Sequence, residues 1–186
     1  MAASPGSEAG GPVERTLILG GVRSGKSRLA ERLAHASGLA VTYVATATPS
    51  DDEMRARIAA HRERRPPDWQ LVEEPLRLTT ALESVCAPNR CVLVECLTLW
   101  LANLIWHPDP ARMDRELRAL DERLPQLPGQ LILVGNEVNM GVIAVDALTR
   151  RYCDRAGELH QRLGAVCDRV VLTVAGLPLV IKGEPL

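Results

Sequence analysis

Short apolar runs rich in β-branched residues recur along the chain at positions 16–19, 41–45, 91–95, 131–134 and 170–174. Each is too short for a core helix and reads as a strand buried on both faces. The stretches between them have helical spacing. Leu29, Ala30, Leu33 and Ala34 follow the first run, and Met113, Leu117, Leu120 and Leu124 sit in a charged segment closed by prolines at 108 and 128. Leu148, Tyr152, Ala156, Leu159, Leu163 and Val166 recur at steps of three and four, so they share one face of a long last helix. Ser50 with Glu53 forms a capping box for another helix, which ends near Arg64 because Pro66 and Pro67 cannot continue it. Strands alternating with helices predict an α/β fold with a mostly parallel sheet and helices on both faces.

The residues following the first strand add chemistry. Gly20, Gly21, Val22, Arg23, Ser24, Gly25, Lys26 and Ser27 match GxxxxGK[ST] at each fixed position, between a predicted strand and a predicted helix. Such a loop turns its amides inward around phosphate oxygens, and the next helix adds its positive N-terminal end. Lys26 then reaches the β- and γ-phosphates of ATP or GTP, and Ser27 is the expected Mg²⁺ ligand. The fold is therefore expected to be of the P-loop NTPase, RecA-like type. Glu95, closing an apolar strand, is the acid expected to hold the metal shell or a base, with Glu137 a second candidate.

Met54, Ile58 and His61 fall on one face of the helix that starts near Ser50, with Arg55, Arg57, Arg62, Arg64 and Arg65 around them. By spacing alone the plainer reading of His61 is a core-edge histidine among solvated arginines. The alternative is a nucleophile toward a nucleotide α-phosphate, with the guanidinium groups stabilising phosphoryl charge. Asp51, Asp52 and Glu53 read as helix N-terminal acids that complement the dipole. His35, His107 and His160 read as surface or boundary residues.

Composition narrows the partners. Lys plus Arg number 22 and Asp plus Glu 23, so no basic field draws the chain onto nucleic acid, and a small-molecule partner is favoured. Five cysteines lack zinc-site spacing and read as free thiols. No membrane anchor or secretory pattern stands out, and a cytoplasmic protein is expected. Residues 1–13, rich in Gly, Ala, Ser and Pro, are expected to be a flexible tail before a single catalytic domain at 14–186.

Taken together, GGVRSGKS (20–27), YVATA (43–47), DDEMRARIAAHRERRP (51–66), Trp69, VLVECLTLWLANL (92–104), ILVGNEVNMGVI (132–143) and the stretch 152–163 resemble the bifunctional adenosylcobinamide kinase / adenosylcobinamide-phosphate guanylyltransferase family of cobalamin biosynthesis. The resemblance implies that His61 takes GMP from GTP as a phosphoramidate, reversing the plainer reading. It also implies nucleotide contacts from the P-loop, from Ala45, Thr46 and Ala47, from Arg62, Glu63, Arg64 and Arg65, and from Glu73 and Glu95. A corrinoid substrate and a homotrimer with the nucleotide near a subunit boundary are implied as well. The family usually has glycine where this chain has Asn139. The rival readings are a P-loop kinase of another small alcohol with His61 structural, and a non-catalytic nucleotide-binding module.

Overall fold

A computed structural model of the chain describes residues 14–49 and 51–186. The side chains of Glu53, Met54, Arg57, Ala60, His61 and Arg64 lie outside the described residues, as do Ser50 with its capping role and the expected tail at 1–13. Seven strands form one sheet in the order β3-β2-β4-β5-β1-β6-β7. They are β1 (Glu14–Gly20), β2 (Ala40–Ala45), β3 (Gln70–Glu73), β4 (Arg90–Glu95), β5 (Gln130–Asn136), β6 (Arg169–Val174) and β7 (Leu177–Lys182). Neighbours pair in parallel except β6 and β7, which form an antiparallel hairpin at one edge.

The central strands are buried on both faces, which is why they read as unbroken apolar runs. Leu17, Val92, Val94, Leu131 and Leu133 face one apolar layer, and Ile18, Leu93, Ile132 and Val134 face the other. The first layer is completed by α3 (Leu78–Val85), α4 (Leu97–Ile105), α5 (Ala111–Arg123) and α6 (Ala147–Val166). On the opposite layer α1 (Lys26–Ala36) contributes Leu29, Ala30 and Ala34. Asp146 caps α6, its carboxylate accepting the Thr149 N–H at 2.8 Å. Arg15 ties β1 to the end of the α5 layer by donating to the carbonyls of Leu124, Pro125 and Leu127.

Two strands and two helices exceed the sequence expectation. β3 is only four residues long and half-buried, so it leaves no apolar run. β7 carries Pro178 and is mostly exposed, as an edge strand permits. α3 is a short helix, and α4 is apolar nearly all round because its Leu97, Trp100, Leu101 and Leu104 are sunk in the core. The helix expected from Ser50 is α2 (Asp52–Arg64), ending where Pro66 was expected to stop it.

Candidate active site

The parallel strands aim their C-terminal ends at one edge of the sheet, where polar groups gather around a cavity of about 1110 Å³. Its floor begins with the loop between β1 and α1. Gly25 takes φ 99°, a left-handed backbone that glycine adopts without strain. Gly20 has no room for more: a Cβ there would stand 2.6 Å from the Thr173 carbonyl and 2.5 Å from Ser24 Oγ. The loop is closed by Ser24 N–H donating to Gly21 O at 3.2 Å and pinned from outside by Gly176 N–H donating to Ser24 O at 2.9 Å. Lys26 is buried, and its Nζ donates to the Gly21 carbonyl at 2.9 Å. Burial holds its ammonium below the ordinary lysine range, with Glu95 and Cys96 pulling the other way.

Ser27 Oγ donates to Glu95 Oε1 at 2.8 Å, so the hydroxyl and the strand-end carboxylate expected from the sequence meet across the floor. A hydroxyl beside a carboxylate is the oxygen donor set that Mg²⁺ takes when substrate phosphates and water supply its other positions. Among the described residues no group of three or more His, Cys, Asp or Glu is placed to hold a metal by itself.

The wall comes from the end of β2 and from α2. Ala45 and Ala47 line the cavity; Thr46 between them does not. The Thr46 hydroxyl is buried instead, donating to the Cys96 carbonyl at 2.7 Å and accepting the Cys96 N–H at 2.9 Å. It thereby fixes the turn after β2 to the turn after β4. Thr46→Val would leave the Cys96 N–H unpartnered and its carbonyl with only the Trp100 N–H, and a loss of about 2 kcal/mol is expected from the shift of the urea unfolding midpoint at unchanged m-value.

From α2, Arg55, Ile58, Ala59 and Arg62 reach the cavity, one face of about two turns. Arg55 pairs with Asp52 at 2.6 Å, and Arg62 pairs with Glu73 at the end of β3. Arg65, just past the helix, stands 5.4 Å over the ring of Tyr43. Arg23 and Arg28 bring further positive charge from the P-loop side. His61 lies on this helix three positions after Ile58 and one before Arg62; Glu63 does not line the cavity.

Glu137 turns elsewhere. Its N–H donates to Gly20 O at 3.0 Å, its Oε1 accepts the Asn139 N–H, and its Oε2 lies 3.8 Å from His160 Nδ1 on α6. His160 is thus a boundary residue, as expected, at its more buried end, and burial lowers its pKa against the pull of Glu137. Asn139 needs no left-handed backbone. Its side chain lies against Gly157, where an added Cβ would meet Asn139 Nδ2 at 2.8 Å. Sequence reasoning missed Tyr43, Thr98 and Asn136 as cavity residues. Asn136 ends an apolar strand just as Glu95 does, and a search for any polar strand-end residue, rather than an acid, would have found it.

The chain has relatives among known proteins. The family model described as cobinamide kinase / cobinamide phosphate guanyltransferase matches residues 16–181. A Pseudomonas aeruginosa protein named bifunctional adenosylcobalamin biosynthesis protein CobP is 59% identical over 92% of this chain and 99% of its own. A Salmonella typhimurium protein named bifunctional adenosylcobalamin biosynthesis protein CobU is 38% identical over 89% of this chain and 98% of its own. A solved Pyrococcus horikoshii OT3 protein, 10% identical, matches 92% of this chain and 87% of its own at a TM-score of 0.52, a likeness of fold alone. With a family match that runs from β1 into β7 and takes in both the P-loop and α2, the chain belongs to the cobinamide kinase / cobinamide phosphate guanyltransferase family.

Proposed function

We propose that the chain performs two reactions in this one cavity, with His61 carrying the second as a guanylyl-histidine. In the first, the hydroxyl of adenosylcobinamide attacks the γ-phosphorus of ATP or GTP. The bond to the β-phosphate oxygen breaks, the nucleoside diphosphate leaves and the hydroxyl proton passes to solvent. Lys26 neutralises charge on the phosphates, and Mg²⁺, when bound at Ser27 and Glu95, supplies Lewis-acid stabilisation of the same charge. In the second, a ring nitrogen of His61 attacks the α-phosphorus of GTP and pyrophosphate leaves. A phosphate oxygen of adenosylcobinamide phosphate then displaces the histidine, giving adenosylcobinamide-GDP and restoring the imidazole.

The observation that carries this reading is the shared cavity. The P-loop and α2 line the same space, so a triphosphate seated on the loop extends toward the helix that bears His61. The arginines at 62 and 65, with Glu73 and Glu95, are assigned to the nucleotide; Ala45, Thr46 and Ala47 hold the turn beside it. Glu63 and Arg64 are assigned on family resemblance alone. GTP labelled at the α-phosphate should leave acid-labile, base-stable label on the protein, and GTP labelled at the γ-phosphate should label the corrinoid. Label at neither place would remove the reading in favour of a nucleotide-binding module.

We assign the protein to the cytoplasm and to a homotrimer. No helix among the described residues is long and apolar enough to cross a membrane, which supports the first assignment. The exposed Met140, Val142, Ile143 and Val145, together with Leu177 and Ile181 on β7, support an assembly that covers apolar surface. Light scattering on the purified protein gives the mass that decides it.

A further inference from the structure

Asn136 closes β5 directly beside the first residue of the phosphate loop, paired in register with Gly20. Its backbone is held from two sides. The Asn136 N–H donates to Thr98 Oγ at 2.7 Å, and the next residue's N–H donates to Gly20 O at 3.0 Å. The ladder between β1 and β5 therefore continues to the point where the chain turns around phosphate, and the Asn136 side chain has a rigid base.

That side chain lines the cavity floor with Lys26, Ser27, Glu95 and Thr98. The others are engaged: Lys26 with Gly21, Ser27 with Glu95, and Thr98 with the Asn136 backbone. The carboxamide of Asn136 makes no hydrogen bond among the described residues, so it presents both a donor and an acceptor to whatever occupies the floor. It is also uncharged, so it does not repel phosphate as a carboxylate would.

We infer that Asn136 contacts substrate in the phosphoryl-transfer step, its NH₂ donating to a γ-phosphoryl oxygen and its carbonyl accepting from the attacking hydroxyl. The inference rests on the two-reaction reading above. Transfer of the γ-phosphoryl group leaves little for a protein to do except position the reactants and stabilise charge on the equatorial oxygens. A fixed carboxamide does both and exchanges no proton. The hydroxyl oxygen gains its bond to phosphorus, the bond to the β-phosphate oxygen breaks, and the hydroxyl proton goes to solvent. Guanylyl transfer reacts at the α-phosphorus with a nucleophile from α2, so it shares only the contact with the γ-phosphoryl oxygen and not the one with the attacking hydroxyl.

The test compares the two half-reactions in the full-length protein with GTP and adenosylcobinamide. In Asn136→Ala, kcat for γ-label transfer to the corrinoid is expected to fall about a hundredfold. The KM for GTP and the rate of α-label capture by the protein, which lose only the contact with the γ-phosphoryl oxygen, should change less, by about tenfold at most. Asn136→Asp keeps shape and acceptor but adds charge, and should be at least as impaired. Phosphoryl transfer within about threefold of wild type in either variant would overturn the inference. So would an equal fall in both half-reactions, which would mark a structural role beside Gly20. If the alanine variant melts early, Asn136→Ser is measured in its place with the same outcomes. A wild-type protein that never labels the corrinoid would instead overturn the two-reaction reading, and this inference with it.

Discussion

His61→Ala is expected to capture no guanylyl label from GTP, a fall of about 10⁴-fold or more, because removing a covalent nucleophile leaves only the binding contribution to the rate. Transfer of the γ-phosphoryl group to the corrinoid should survive within about tenfold, since no bond to His61 forms in that step. The position makes chemical sense. None of the described residues of α2 belongs to either apolar core cluster. The same helix brings Arg55 and Arg62 to the cavity wall, where guanidinium groups can meet the charge that develops as pyrophosphate departs. The measurement is protein-bound α-label, stable to base and lost in acid, as expected for a phosphorus–nitrogen bond. Label that persists in His61→Ala would place the covalent link elsewhere. Phosphoryl transfer abolished along with it would mean that the substitution had disturbed the whole cavity.

The sheet was legible where burial is two-sided. β1, β2, β4, β5 and β6 are apolar on both faces and announce themselves as runs, whereas β3 and β7 lie at the edges and carry Glu73 and Pro178 without penalty. The P-loop was legible because its backbone demands glycine at fixed places, and Gly25 at φ 99° meets that demand. The approach of Glu95 to Ser27 was expected only as a strand-end acid, since separation by 68 residues leaves no local signal. Thr46 was grouped with the nucleotide contacts, yet its hydroxyl joins two turns, a distinction that a three-residue motif cannot carry. Asn136 was passed over for Glu137 because charge was weighed above register; the ladder places Asn136 opposite Gly20 and sends Glu137 toward α6.

Lys26→Met should separate function from stability. Phosphoryl transfer is expected to fall about 10²- to 10³-fold, the range for losing one preorganised charge contact to a reacting group. Stabilisation of the protein by GTP in thermal melts should largely disappear. The nucleotide-free protein, in contrast, should melt at a higher temperature than wild type near neutral pH. Burial lowers the pKa of Lys26 from the ordinary lysine value of 10.5, so the folded state binds this proton less well than the unfolded chain does. Its penalty is present in full below the lowered folded value, shrinks as pH rises through the interval and is gone above 10.5. Methionine has no such proton, and the exposed Gly21 carbonyl that Lys26 engages can return to water. The stability gain of Lys26→Met should therefore shrink between neutral pH and strongly alkaline pH. A bound triphosphate reverses the sign, because negative oxygens beside the ammonium favour its charged form. A variant that melts below wild type at every pH, or that GTP still stabilises fully, would show that Lys26 is held by its local hydrogen bond and not kept strained for phosphate.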